Sequence, residues 1–145
     1  MESSLALKAE QYMRALYSGD VGEVEGLVSE DIVISYPVFE NLFGTPEIRS
    51  RKSAKDFAVH FSSRWSDQEL KIHESVSQGS KVVLVWEFSA RNIAPLSPDQ
   101  PATQERRTWG GITLIQFDGS GRIRAEIGEE STPGPIGRTN SVGVS

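Results

Sequence analysis

The sequence predicts an α+β fold, with helices packed on one face of a curved, mostly antiparallel sheet. Three observations carry this reading. Apolar residues recur at helical spacing in the first half of the chain, the pattern changes to period two past Asp67, and "DGSG" at 118–121 marks a hairpin turn between the last two of four consecutive strands.

The elements follow in order. Leu5, Ala9, Tyr12, Met13 and Leu16 lie three and four residues apart, which marks an amphipathic helix over Leu5–Tyr17, stopped by Gly19. Asp20 with Glu23 resembles a capping pair for a second short helix, whose Val21, Val24, Leu27 and Val28 form one face. The β-branched run "IVISYPVF" at 32–39 reads as a strand that ends or bends at Pro37, because proline removes a ladder donor and holds the preceding Tyr36 extended. "ENLFGTPEIRSRK" has the composition of a loop, after which Ser53 can cap a helix carrying Phe57, Phe61 and Trp65 on one stripe, bordered by His60 and Arg64. Four strands follow in "LKIHESVSQ", "KVVLVWEFSARN", "ERRTWGGITLIQFD" and "RIRAEIGEEST". Residues 92–104 join two of them by a connection longer than a hairpin needs, the mark of a functional loop or of local disorder. One domain over 1–132 and a flexible tail over 133–145 are expected.

Composition narrows the function. A chain of 145 residues with 37% apolar residues buries enough surface for a core without staples, and the absence of cysteine excludes disulfides, thiolate metal sites and a cysteine nucleophile. A net charge of −5 with dispersed basic residues argues against nucleic-acid binding. No apolar run is long enough to span a bilayer and the N-terminus lacks a signal-peptide layout, so a soluble, cytoplasmic protein is expected, with no membrane partner. Neither a metal-ligand spacing nor a glycine-rich phosphate loop is present, so no metal and no cofactor are implied.

The order of elements, "QYMRALYSGDVGEVEGLVSEDIVISYPV" near the start and "LIQFDGSGRI" before the last strand resemble the nuclear transport factor 2-like superfamily, and within it ketosteroid isomerase and the SnoaL-like polyketide cyclases. The resemblance runs to about residue 132 and implies a cone-shaped barrel: a strongly curved mixed sheet wrapped around three helices, with a deep apolar pocket. It places Tyr12 where ketosteroid isomerase has its oxyanion-binding tyrosine, Tyr36 where that enzyme has its proton-shuttling aspartate, and Thr113 where it has a protonated aspartic acid. A tyrosine, with a pKa of about 10, is a poor base at neutral pH, so the resemblance implies the pocket but not the ketosteroid mechanism.

The residues suggest other groups for that chemistry. A simple three-residue turn in the last hairpin pairs Gly111 with Glu129 and turns Glu129 inward. The family's bulge after the turn instead brings Glu126, Gly128 and Glu130 into the cone. Glu130 is then the first catalytic candidate, beside Thr113, although carboxylates near strand ends are ordinarily solvated. His60 is the second, since a histidine exchanges protons near neutral pH and a nearby carboxylate would raise its pKa; a half-buried structural histidine is the alternative. Trp86 and Phe88 share a strand face with Val82 and Leu84, which suits either a pocket wall or plain core. Trp109 is expected near the mouth, Phe57 and Phe61 in the wall, and Arg64 among several arginines that would orient a substrate carbonyl or anion.

The expectation is a cofactor-independent cyclase or isomerase acting on an apolar polyketide, terpenoid or epoxide intermediate of natural-product biosynthesis by general acid/base catalysis. Glu130 and His60 move protons, and Tyr12 and Tyr36 hydrogen-bond a substrate oxygen. The alternatives are an epoxide hydrolase of the limonene-epoxide type, whose arginine between two aspartates has no counterpart here, and a non-enzymatic ligand-binding or dimerisation module. Val83, Val85 and Ile112 or Leu114 on the outer sheet face suit a homodimer through the sheet.

Overall fold

The computed structural model describes residues 4–95 and 99–141. Helices α1 (Ser4–Ser18) and α2 (Val21–Leu27) lead into β1 (Val28–Ser35), α3 (Val38–Phe43), β2 (Glu47–Arg49) and α4 (Arg51–Ser62). Then come β3 (Trp65–Gln78), β4 (Lys81–Asn92), β5 (Arg106–Phe117), β6 (Ile123–Ser131) and α5 (Pro135–Ser141).

The period-3.6 pattern of α1 becomes a buried face of Ala9, Tyr12, Met13, Leu16 and Tyr17. Gly19 ends the helix at φ +83°, and a Cβ there would sit 2.3 Å from the Ser62 hydroxyl, so the ends of α1 and α4 meet where only glycine fits. Asp20 caps α2 by accepting from the Glu23 amide at 3.1 Å. Helix α4 is capped three residues earlier than expected: the Ser50 hydroxyl, not that of Ser53, accepts from a backbone amide, that of Ser53, at 3.1 Å. Trp65, read as the end of the helical stripe, opens β3 instead.

Strand β1 starts at Val28 and stops at Ser35, directly before Tyr36 and Pro37. Val38 and Phe39, read as strand, belong to α3, and the expected loop at 40–52 contains most of that helix and all of β2. Proline suits a helix start, Val38, Phe39, Leu42 and Phe43 recur at helical spacing, and Gly44 at φ +73° terminates the turn.

The sheet has six strands in the order β2-β1-β6-β5-β4-β3, with β1 and β6 parallel and all other pairs antiparallel. It is open, not a closed barrel, and β2 and β3 form its edges. Register shifts in β3 near Asp67 and His73 bend the long β3–β4 ribbon, in keeping with the local twist that bulges introduce. Side chains of the inner face, among them Val82, Leu84, Trp86, Phe88 and Ile115, pack against α1 in one core. In the expected tail, residues 135–141 form α5, and 142–145 lie outside the described residues. Among the described residues no helix is long and apolar enough to cross a membrane.

Candidate active site

The site is set by one extra residue in β6. Phe117 pairs with Ile123 as a simple hairpin requires, but Gln116 pairs with Ala125, so Arg124 is bulged out. Every later residue is turned over: Ile115 faces Glu126, Thr113 faces Gly128 and Gly111 faces Glu130. Glu126, Gly128 and Glu130 therefore share the inner face, while Glu129 is exposed. Glu130 stands opposite Gly111, and Thr113 has Gly128 as its partner rather than Glu130.

Between the two glutamates Gly128 leaves a slot. A Cβ there would lie 2.2 Å from Tyr36 Cε2 and 2.9 Å from Thr113 Oγ1, so the Tyr36 ring occupies the missing side chain's space. The turn at Pro37 aims that ring, and its hydroxyl donates to Glu126 Oε2. Tyr12, from the buried face of α1, donates to Glu126 Oε1 at 2.5 Å. Each carboxylate oxygen of Glu126 thus accepts one tyrosine proton, in a fully buried position.

Behind this pair the protons follow by elimination. Trp86 Nε1–H can only donate, and it lies 2.9 Å from Thr113 Oγ1. The single proton of Tyr36 goes to Glu126, so in the 2.8 Å contact between Thr113 and Tyr36 the threonine donates. The chain Trp86 to Thr113 to Tyr36 to Glu126 is satisfied at every link, as a buried polar network must be.

Above it lies a cavity of about 680 Å³, walled mainly by Leu16, Tyr17, Phe39, Phe57, Phe61 and Trp109. Its floor holds Tyr36, Glu126 and Glu130, and His60, Arg64 and Arg107 also line it. Burial raises the Glu126 pKa, and the hydrogen bonds from Tyr12 and Tyr36 pull it part of the way back. Glu130 has no such donors: burial, then the neighbouring Glu126 charge, push it up to about 7. Tyr12 and Tyr36 are held well above the ordinary tyrosine range, by burial first and then by Glu126, so both keep their protons. Tyr17 is shifted the same way by burial, Glu130 and Glu126. Burial and then Arg64 lower the His60 pKa; the expected carboxylate that would raise it is not beside it.

The cavity brings together Tyr36, Glu130, His60, Phe57, Phe61, Arg64 and Trp109. Tyr12, Thr113, Trp86 and Phe88 do not line it: all four are fully buried beneath the floor and wall. Trp86 and Phe88 instead pack edge-on against Tyr17, at 5.9 and 5.0 Å between ring centroids. The tyrosine pair expected to bind a substrate oxygen donates to Glu126. Sequence reasoning passed over Tyr17, although it lies one turn after Met13 on the buried stripe of α1, over Phe39, read as the end of a strand, and over Phe43, whose segment has a loop's composition. Glu126 was among the inward residues of the bulged register but was not given a role. Among the described residues no group of three or more His, Asp or Glu side chains is placed to hold a metal ion.

No curated protein sequence matches the chain. Among solved structures, TsrD from Streptomyces laurentii is 18% identical with a TM-score of 0.71, all of both chains being covered. A candidate SnoaL-like polyketide cyclase from Shewanella denitrificans OS-217 is 15% identical with a TM-score of 0.76, covering 97% of this chain and 99% of its own. An LEH-like epoxide hydrolase from M. tuberculosis is 17% identical with a TM-score of 0.66, covering 88% of this chain and 79% of its own. At these identities the likeness is one of fold, the nuclear transport factor 2-like cone. The family model for the SnoaL-like domain matches residues 9–126, from α1 to the buried glutamate, and the chain belongs to that family.

Proposed function

We propose that the protein is a cofactor-independent cyclase or isomerase that acts on a largely apolar small molecule, such as a polyketide, terpenoid or epoxide intermediate, by general acid/base catalysis. The observation that carries this reading is Glu130, a carboxyl in an aromatic cavity whose pKa of about 7 lets it hold and release a proton at neutral pH. His60, shifted downward, is neutral under the same conditions and serves as the accepting base. Environments that move two titratable groups of one cavity in these directions suit an acid and a base. In this reading Glu130 protonates a carbonyl, hydroxyl or epoxide oxygen, and His60 takes a proton from the attacking hydroxyl or the acidic carbon. Tyr12 and Tyr36 hold the Glu126 carboxyl in place, and its nearness adds to the burial that raises the Glu130 pKa.

The test is turnover of polyketide-like carbonyl compounds and epoxides, followed by product mass. Cyclisation and isomerisation leave the mass unchanged, whereas hydrolysis of an epoxide adds one water, and binding without turnover would assign a ligand-binding module. With a substrate in hand, Glu130→Gln and His60→Ala are each expected to lower kcat about 10²–10⁴-fold. Unchanged turnover in both variants would remove the acid/base assignment.

A further inference from the structure

Two cations that line the cavity, Arg64 and Arg107, form no ion pair among the described residues. Among the described residues, the other arginines in ion pairs find carboxylates: Arg49 with Glu47, Arg51 with Glu25, Arg91 with Asp67 and Arg106 with Glu69. Arg64 and Arg107 do not. Arg64 is half-buried, and its guanidinium is held by oxygens that carry no net charge: Nε donates to the Pro95 carbonyl at 2.8 Å, and Nη1 to the His60 carbonyl and the Ser63 hydroxyl at 2.8 and 3.0 Å. Those bonds fix its plane and leave the two N–H groups of Nη2 uncommitted among the described residues. Its charge is felt inside, since Arg64 contributes to the depressed pKa of His60. Arg107 is exposed on β5 and lines the same cavity, and among the described residues its side chain makes no hydrogen bond or ion pair.

The cavity is therefore polarised. Its buried floor carries Glu126 and Glu130, its exposed side carries Arg107 with Arg64, and rings such as Tyr17, Phe61 and Trp109 lie in its wall. A chain with a net charge of −5 has here a locally positive opening. We infer that the substrate is an amphiphilic carboxylic acid, a flat unsaturated body whose carboxylate is held at the cavity mouth by Arg64 and Arg107 while its reacting oxygen reaches the floor. Planar guanidinium groups match carboxylates, and the floor glutamates repel an anion entering the wrong way round. Phosphate sites are commonly built from glycine-rich backbone at a helix start, and no glycine lines this cavity. This inference rests on reading the cavity as the small-molecule site proposed above, and it names the class of that molecule.

Binding tests it without a known substrate. 2-Naphthylacetate and its neutral isostere 2-naphthylacetamide are titrated into the protein, with quenching of Trp65 and Trp109 in the cavity wall as the signal. The acid is expected to bind about tenfold tighter than the amide, and added salt to reduce that preference. Arg107→Gln is expected to remove most of the preference and leave the affinity for the amide unchanged. Arg64→Lys tests the second cation with the charge kept, and is expected to weaken the acid alone. Equal affinities for acid and amide, undiminished acid binding by Arg107→Gln, or failure of both compounds to bind at millimolar concentration would overturn the inference. Tighter binding of 2-naphthyl phosphate than of the acid would assign the mouth to phosphoryl ligands and overturn it as well. Loss of turnover in Glu130→Gln without any preference for the acid would sink this inference alone; a preference for the acid with full turnover in both Glu130→Gln and His60→Ala would sink the acid/base reading alone.

Discussion

Glu126 and Glu130 lie on one face of one strand, and their different surroundings separate their roles. Glu126 is fully buried, yet each of its oxygens accepts a tyrosine proton, whereas Glu130 is partly exposed and has no equivalent donors among the described residues. Removing one donor from a buried carboxyl leaves an acceptor unsatisfied, so Tyr12→Phe is expected to destabilise the fold by about 1–3 kcal/mol, read by urea denaturation. Glu130 has the opposite sign. Its pKa of about 7 in the folded chain exceeds the value of about 4.3 in an unfolded one, so the native state binds more protons between those pH values and stability falls as pH rises through them. Relative to Glu130→Gln, the wild-type protein is expected to lose about 2–3 kcal/mol between pH 4.5 and 8, with the two curves parallel above that range. Denaturation midpoints across the range check this, and curves parallel throughout would count against the burial assigned to Glu130.

At the scale of elements, the hairpin β5–β6 decides which carboxylates face inward. The turn "DGSG" was legible in the sequence, and it left two registers open; only the bulge at Arg124 selects Glu126, Gly128 and Glu130. That residue carries no local signal for a bulge, so the choice came from the family resemblance. Helix α1, the capping pair of α2 and the four long strands were readable from period and punctuation. Helix α3 and strand β2 were not, because six residues of helix and three of strand punctuated by Pro37, Gly44 and Pro46 give no window for periodicity. The slot at Gly128 supplies a prediction for this element. Gly128→Ala would drive a methyl group into the Tyr36 ring, and it is expected to cost about 1–3 kcal/mol and to disturb the Tyr36–Glu126 hydrogen bond. Thermal denaturation checks the first effect, and the tyrosine absorbance difference spectrum the second.

At the scale of the whole molecule, the outer face of the sheet mirrors the inner one in pattern but not in cover. Val76, Val83, Leu114 and Ile127 stand side by side across four strands, with Val85 and Ile112 in the next row. Ile112 and Ile127 are 45% and 48% exposed and Val76 63%, a patch that water solvates poorly. We propose a second copy of the chain as its cover: the residues are self-complementary in an apolar centre, with Glu74, Glu87 and Glu129 and Arg106 around it. Light scattering is expected to give twice the chain mass for the wild-type protein and the monomer for Ile112→Asp; a wild-type monomer would leave the patch free. The site's identity, by contrast, was only half legible at the sequence level. Glu130 and His60 could be named because their chemistry is rare in an apolar context, while the partnership of Tyr12 and Tyr36 with Glu126 joins α1, the β1–α3 turn and β6, which lie far apart in the chain and meet only in the folded sheet.

Acid/base catalysis in this aromatic cavity requires a carboxyl that exchanges its proton near neutral pH. The most direct measurement is a carbon-13 NMR titration of the protein labelled at glutamate Cδ, with Glu130→Gln assigning the resonance. A Glu130 signal that titrates with a midpoint of about 7 is the predicted result. A signal that titrates in the ordinary glutamate range, about 4–4.5, would contradict the role of Glu130 as the proton donor.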